Sequence, residues 1–222
     1  MLSLEEREER RHQLGASEIH KILNFDTQEC QQLWELKVGI RNYEELDNDA
    51  IDAGNILEEP CLDYFEKENN VELVRNERIE HKTIPGLVAS YDARISDTQI
   101  PVENKVINEE SFKKWIAKRS FNALYMDLKL NISNAYYCQC QIQMQISGVD
   151  KAILNVNTLT DEEQENPINV VITDIHNKQI EILRDDPLIK ELESRAKYML
   201  HCMKYKRRPS EKEYFEKYVL EV

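Results

Sequence analysis

The chain has 222 residues, long enough for one sizeable domain with a packed core. Its 41% hydrophobic and 32% charged content is that of a folded protein and excludes disorder as a description of the whole chain. A net charge of −13 excludes a nonspecific nucleic-acid coat, and the lack of any apolar run of about 18 residues excludes a membrane-spanning helix. The polar N-terminus MLSLEEREERRHQ reads as neither a secretory nor a transit peptide, so the expected compartment is the cytoplasm. The five cysteines, Cys30, Cys61, Cys138, Cys140 and Cys202, form no CxxC pair and are expected as reduced, buried thiols. Their spacing supports neither a zinc knuckle nor the four-cysteine ligation of an iron–sulfur cluster.

In chain order, residues 3–13 read as a charged helix, and Ser17 as the cap of a short helix over SEIHKILN. Thr27 precedes a third helix, TQECQQLWELKV, that stops at Gly39. From Asp47 to Asn69 the positions Ala50, Gly54, Leu57, Cys61, Tyr64 and Glu68 recur at helical steps, with Pro60 as a kink or restart. Glu58 lies one turn beyond Gly54. Three extended runs follow, 71–79, Leu87–Ile95 and Ile100–Ile107, expected as an antiparallel meander. Helices over 109–119 and 134–147 and strands over 151–157 and 168–174 come next. A long amphipathic helix from Asp186 to Tyr205 is broken by Pro209, with a short helix after it. This order predicts an α/β fold, a central mixed β-sheet flanked by helices with a long C-terminal helix. Without repeats or linkers, the expectation is a single domain over 1–222. It comprises a helical region over residues 1–70, catalytic sheet and helices over 71–175, and C-terminal helices over 178–222.

The chemistry concentrates in the strand Ile-Pro-Val-Glu-Asn-Lys-Val-Ile ending at Ile107. Residues two apart on a strand share a face, so Glu103 and Lys105 point together and Asn104 points away. An acid and an ammonium inside an apolar strand are costly to bury without partners. Phosphodiester hydrolysis gives a reason for both: the carboxylate holds a hard divalent cation such as Mg2+, with Mn2+ as an alternative. The lysine orients or activates the attacking water and offsets transition-state charge. Asp92, eleven residues earlier and beyond the turn Ser-Asp-Thr-Gln at 96–99, can come opposite Glu103 as a second carboxylate. The Asn104 carbonyl supplies another oxygen, and Glu58 a third carboxylate for the same or a second ion. An E-x-K strand alone is equally the pattern of a surface ion pair. Basic pairs at Arg10-Arg11, Lys113-Lys114, Lys118-Arg119 and the run Lys204 to Arg208 offer local positive charge, though each also reads as a solvated helix face.

Asp92, Glu103 and Lys105, with Glu58 on an upstream helix, resemble the PD-(D/E)XK nuclease superfamily, and within it the lambda exonuclease and YqaJ-type viral recombinase branch. Leu14-Gly-Ala-Ser17-Glu-Ile resembles that branch's N-terminal motif, and Gly54-Asn-Ile-Leu-Glu58 its acidic helix. Pro85-Gly-Leu-Val-Ala-Ser-Tyr-Asp92 stands where the family has S-P-D-G, and Tyr136 to Met144 resembles its glutamine-rich helix. Together these segments cover roughly residues 10–158. Tyr91 and Ala93 depart from the family's proline and glycine around the catalytic aspartate.

The resemblance implies that Asp92, Glu103 and the Asn104 carbonyl bind metal, that Lys105 activates water and that Glu58 completes a second metal site. It places Gln139 beside the lysine, with Gln143 one turn along as a substitute; the same helix also reads as solvent-facing, with Tyr136, Cys140 and Met144 buried. Arg10, Ser17 and Ser90 are implied contacts for a terminal 5′-phosphate. Ser17 reads equally as a helix cap, and Arg7 and Arg11 are in register with Arg10. The implied activity is 5′-to-3′ degradation of linear double-stranded DNA, leaving 3′ overhangs for a single-strand annealing protein, by a homo-oligomeric ring. An endonuclease or other repair nuclease, or a non-catalytic DNA-end-binding module on the same fold, are the alternatives. No glycine-rich phosphate loop, HExxH or GxSxG motif supports a small-molecule enzyme.

Overall fold

Leu4–Arg11 forms the first helix, α1, and Leu14–Gly15 the two-residue strand β1. A computed structural model of the chain describes residues 4–42, 49–112 and 132–219. A 3₁₀ helix over Ala16–Leu23 leads to α2, Gln28–Lys37. The expected Ser17 cap is corrected: Gly15 takes the cap position, with φ −79° and ψ 147°, and Ser17 lies inside the first turn. The reason is the Glu18 carboxylate, which accepts the Gly15 N–H at 2.8 Å and ties the first turn to its own start. Thr27 does cap α2, its hydroxyl accepting the Cys30 N–H, and Gly39 at φ +80° ends it in a conformation that suits glycine.

Helix α3, Asp49–Asn69, runs through Pro60 without ending there. Strands β2 (Leu73–Glu80), β3 (Leu87–Ile95) and β4 (Pro101–Asn108) follow. β2 pairs with β3, and β3 is antiparallel to β4, as a meander requires. A helical turn opens at Glu109 and is described to Phe112; the rest of the helix expected over 109–119, with its lysine and arginine pairs, lies outside the described residues. Helix α4, Ile132–Ser147, is followed by β5, Lys151–Leu159, parallel to β4. Then come the short α5, Asp161–Glu165, a 3₁₀ turn over Pro167–Asn169, and β6, Asn177–Leu183, antiparallel to β5. The long α6, Asp186–Lys204, matches the expected C-terminal helix. It is followed by α7, Glu211–Tyr214, and a π-turn over Phe215–Val219.

Two expectations are corrected here. The strand expected over 168–174 does not form. Val171 is 76% exposed and Ile175 78%, and only Ile172 of that run is buried, against α3. Thr173 and His176 close the segment into turns, with the Thr173 N–H donating to His176 Nδ1 at 3.2 Å. The sixth strand lies instead at 177–183, inside the stretch expected to be helical. Its polar spelling, NKQIEIL, fits a strand that buries little beyond Ile182.

The chain forms two compact units, each built from separate segments. One comprises 1–44, 78–90 and 185–222; the other comprises 45–77 and 91–184. In the first, β1 pairs in parallel with the start of β3, Leu14 opposite Leu87, and Ile19, Ile22, Phe25, Leu192, Ala196 and Tyr198 are buried. In the second, α3 lays Ala53, Leu57 and Cys61 against Leu159, and Leu62 and Phe65 against Leu73, Ala93 and Val102. All five cysteines are buried free thiols, and burial pushes Cys30 and Cys61 each up to about 12. Among the described residues no helix is long and apolar enough to cross a membrane.

Candidate active site

Within the second unit, β3 and β4 meet with Ala93 opposite Val102. Asp92 and Glu103 each adjoin that pair, one on either strand. The Asn104 N–H donates to Asp92 Oδ2 at 2.8 Å. Lys105 Nζ donates to Glu103 Oε1 and lies 3.7 Å from Asp92 Oδ2, so one ammonium bridges two carboxylates. Glu103 is 1% exposed, and its second oxygen accepts the Gln143 amide at 2.7 Å. The ammonium also lies 5.5 Å from the centroid of the Tyr136 ring.

Burial, and then the charge on Glu103, raise the Asp92 carboxyl to about 7, although Lys105 and the Asn104 N–H pull the other way. Two carboxylates that share one ammonium repel, and the lysine does not compensate them fully. Burial disfavours the Lys105 ammonium, but Glu103 and Asp92 outweigh it and hold the group protonated. Glu58 on α3 is half-buried and raised, first by burial and then by Glu59; it feels the charges of Lys105 and Glu103 as well. Through those charges it belongs to the same electrostatic cluster.

The glutamine-rich helix faces the interior rather than solvent. Gln139, Gln141 and Gln143 on α4 are all at least nine-tenths buried, beside Tyr137, Cys138, Cys140 and Ile142. Buried amides need partners, and Gln141 donates to the Leu183 carbonyl at 2.8 Å. The contact to Glu103 comes from Gln143, one turn beyond Gln139. Tyr91, in place of the family's proline, is held through α4. Its hydroxyl donates to the Gln143 carbonyl at 3.0 Å and accepts from Ser147 at 3.0 Å. Tyr91→Phe is expected to cost about 1 kcal/mol, lowering the melting midpoint by roughly 2–4 °C. Thermal melting checks this.

The three residues assigned to a terminal phosphate belong to the first unit. Ser17 is exposed, and Ser90 Oγ accepts from Arg78 at 3.1 Å. Arg78 also donates to Gln13 Oε1. The Arg10 carbonyl accepts from Lys37 Nζ at 2.9 Å, and Lys37 pairs with Glu18 at 2.7 Å. Burial lowers Lys37, Glu18 restores part of the shift, and the charges of Arg78 and Arg10 lower it further. Arg10, Lys37 and Arg78 therefore share one field. Sequence reading misses Lys37 and Arg78, because no local motif marks the charges that act together at residues 10, 37 and 78.

A sheet bearing two carboxylates and a lysine on adjacent antiparallel strands, flanked by helices, is the PD-(D/E)XK nuclease-like core. Residues 7–150 match the family model of the YqaJ-like viral recombinase domain, and the chain belongs to that family. No curated protein matches the sequence. Among solved structures, an alkaline exonuclease from Laribacter hongkongensis, LHK-Exo, is similar at 20% identity with a TM-score of 0.68, covering 96% of this chain and 95% of that one. The same enzyme in complex with dAMP gives a TM-score of 0.67 at 20% identity over 92% and 94% of the two chains. A phage-related exonuclease from Haemophilus somnus gives 0.65 at 16% identity over 87% and 96%. These likenesses establish a shared fold.

Proposed function

We propose that this chain is a metal-dependent exonuclease that degrades linear double-stranded DNA from its ends. Cleavage runs 5′ to 3′ and leaves 3′ single strands for a single-strand annealing partner. The observation that carries the reading is the Asp92–Lys105–Glu103 cluster, set in a fold shared with exonucleases. Family membership and the dAMP held by LHK-Exo support a nucleic-acid substrate. A homo-oligomeric ring, acting in the cytoplasm, completes the reading taken from the family.

The residues fit a divalent cation. Asp92 and Glu103 offer carboxylate oxygens that share the one Lys105 ammonium, and the Asn104 carbonyl adds a third oxygen. Among the described residues no three acidic, histidine or cysteine side chains form a cage by themselves. The ion proposed is Mg2+, which keeps waters and binds through one or two carboxylates plus substrate phosphate. A bound cation would supply Lewis acidity to the phosphate and acidify the attacking water. Lys105, held cationic, offsets charge on the transferring phosphoryl group and orients water, while Gln143 fixes the Glu103 carboxylate. Glu58 stands ready as a further acid. Arg10, Ser17 and Ser90, with Arg78, would grip the 5′-phosphate, since guanidinium groups bind phosphate through paired charge-assisted hydrogen bonds.

Incubating end-labelled linear duplex and closed circular duplex with the protein and Mg2+ tests the reading. Linear DNA should be digested from its ends, faster with a 5′-phosphate, and EDTA should abolish the reaction. Cutting of closed circles would sink the exonuclease assignment in favour of an endonuclease.

A further inference from the structure

On β4, Glu103 and Lys105 face one side of the sheet and Asn104 faces the other. On that other side the register aligns Asn104 with Asn155 of β5, and Asn157 of β5 with Asn177 of β6. Asn104 Oδ1 accepts from both Asn155 Nδ2 and Asn157 Nδ2, each at 2.9 Å. Asn177 Nδ2 in turn donates to the Oδ1 atoms of Asn155, at 2.7 Å, and Asn157, at 2.9 Å. Every donor in the chain points from β6 through β5 to β4. Asn155 and Asn157 are fully buried and Asn104 is 6% exposed.

Stability alone does not call for this arrangement. The two β5 asparagines lie between Ile153 and Leu159, which point to the same face and pack into apolar clusters with α3. Aliphatic residues would continue that surface. Amides there are tolerated only because each satisfies another, and such a chain is polarised and geometrically exacting. What it holds is the Asn104 side chain, and through it the peptide whose N–H grips Asp92 and whose flanking residues are Glu103 and Lys105.

We infer that Asn155 and Asn157, backed by Asn177, are positioning residues that fix the Asn104 peptide and so set the separation of the Asp92 and Glu103 carboxylates for a divalent cation. The inference rests on the proposed metal site. Groups behind metal ligands typically change metal affinity by 10–100-fold when removed.

The test measures Mn2+ affinity of the full chain by electron paramagnetic resonance, beside thermal melting and steady-state kinetics on linear duplex. Asn155→Ala and Asn157→Ala should weaken Mn2+ binding by about 10-fold, and Asn177→Ala, one link further away, by less. kcat should fall at limiting Mn2+ and recover at saturating Mn2+, with KM for DNA unchanged. Asn155→Leu, which fills the same space with an apolar side chain, covers the case in which the alanine variants fold poorly; it should show the same loss of affinity. Unchanged Mn2+ affinity with only a lowered melting midpoint would overturn the inference and leave the metal site standing. A wild-type chain that binds no Mn2+ would overturn both.

Discussion

Asp92→Asn should abolish hydrolysis, lowering kcat/KM by about a thousand-fold, while the metal-free protein keeps its fold and gains stability at neutral pH. The two halves of that result have one cause. The asparagine keeps an oxygen to accept the Asn104 N–H, but removes the carboxylate whose charge opposes Glu103. In the wild type the Asp92 carboxyl stands at about 7 against an ordinary 3.8. Between those values the native state holds a proton that the unfolded chain has lost. The contribution of Asp92 is therefore complete below pH about 4, declines as pH rises, and is gone above about 7. Melting curves in EDTA from pH 5 to 8 should show wild type losing ground to Asp92→Asn as pH rises. Parallel curves would mean that the carboxylates do not repel as the geometry implies.

Lys105→Ala should be equally inactive and opposite in stability. It strips the only cation in direct contact with Glu103 among the described ion pairs and leaves the buried Glu103 carboxylate beside the part-buried Asp92. Removing one partner of a buried pair costs about 3–5 kcal/mol. Mg2+ should restore more of the melting midpoint in Lys105→Ala than it adds to wild type. Restored hydrolysis in the same tube would remove Lys105 from the chemistry.

The sequence makes one portion of this site legible and hides another. Leu87–Ile95 keeps one face buried and ends in a turn, so its bounds, and the return of the chain that brings β4 beside Asp92, follow from periodicity. Glu58 and Gln143 depend on how α3 and α4 pack, which spacing constrains only to a face. Gln139 and Gln143 share that face, and only the packed helix shows which amide reaches Glu103. The asparagine chain leaves no sequence signal, because 104, 155, 157 and 177 become neighbours through the pairing order of three strands. The strand expected over 168–174 shows the opposite failure. A β-branched run suggests a strand there but lacks the burial a strand requires, whereas the polar β6, held by pairing with β5, carries no such signal.

The largest loss of stability away from the active site should come from Arg195. This guanidinium in α6 is 4% exposed. It donates to Glu211 at 2.8 and 3.1 Å and to Glu191 at 3.0 Å, and lies 4.7 Å from the centroid of the Tyr214 ring and 5.3 Å from that of Phe25. Glu211 also accepts the Phe25 N–H at 2.9 Å, so the pair pins α7 and the end of the first 3₁₀ segment to α6. Arg195→Met should cost about 3 kcal/mol, much of it from leaving the part-buried Glu211 without its cation. Arg195→Lys should recover little, because an ammonium lacks the planar fork that serves two carboxylates and stacks on rings. Arg195→Met with Glu211→Leu should regain much of the loss, since the orphaned charge is then gone. Burial raises the Glu211 carboxyl, but Arg195 and the Phe25 N–H more than offset this and hold it below its usual 4.5. Its contribution is thus complete at neutral pH and lost as pH falls below that value. Urea unfolding at pH 7 and pH 3.5 checks both statements: the gap between wild type and Arg195→Met should narrow in acid. A single variant as stable as wild type at pH 7 would mean that the buried pair adds specificity to the packing of α6 and α7 and no net stability.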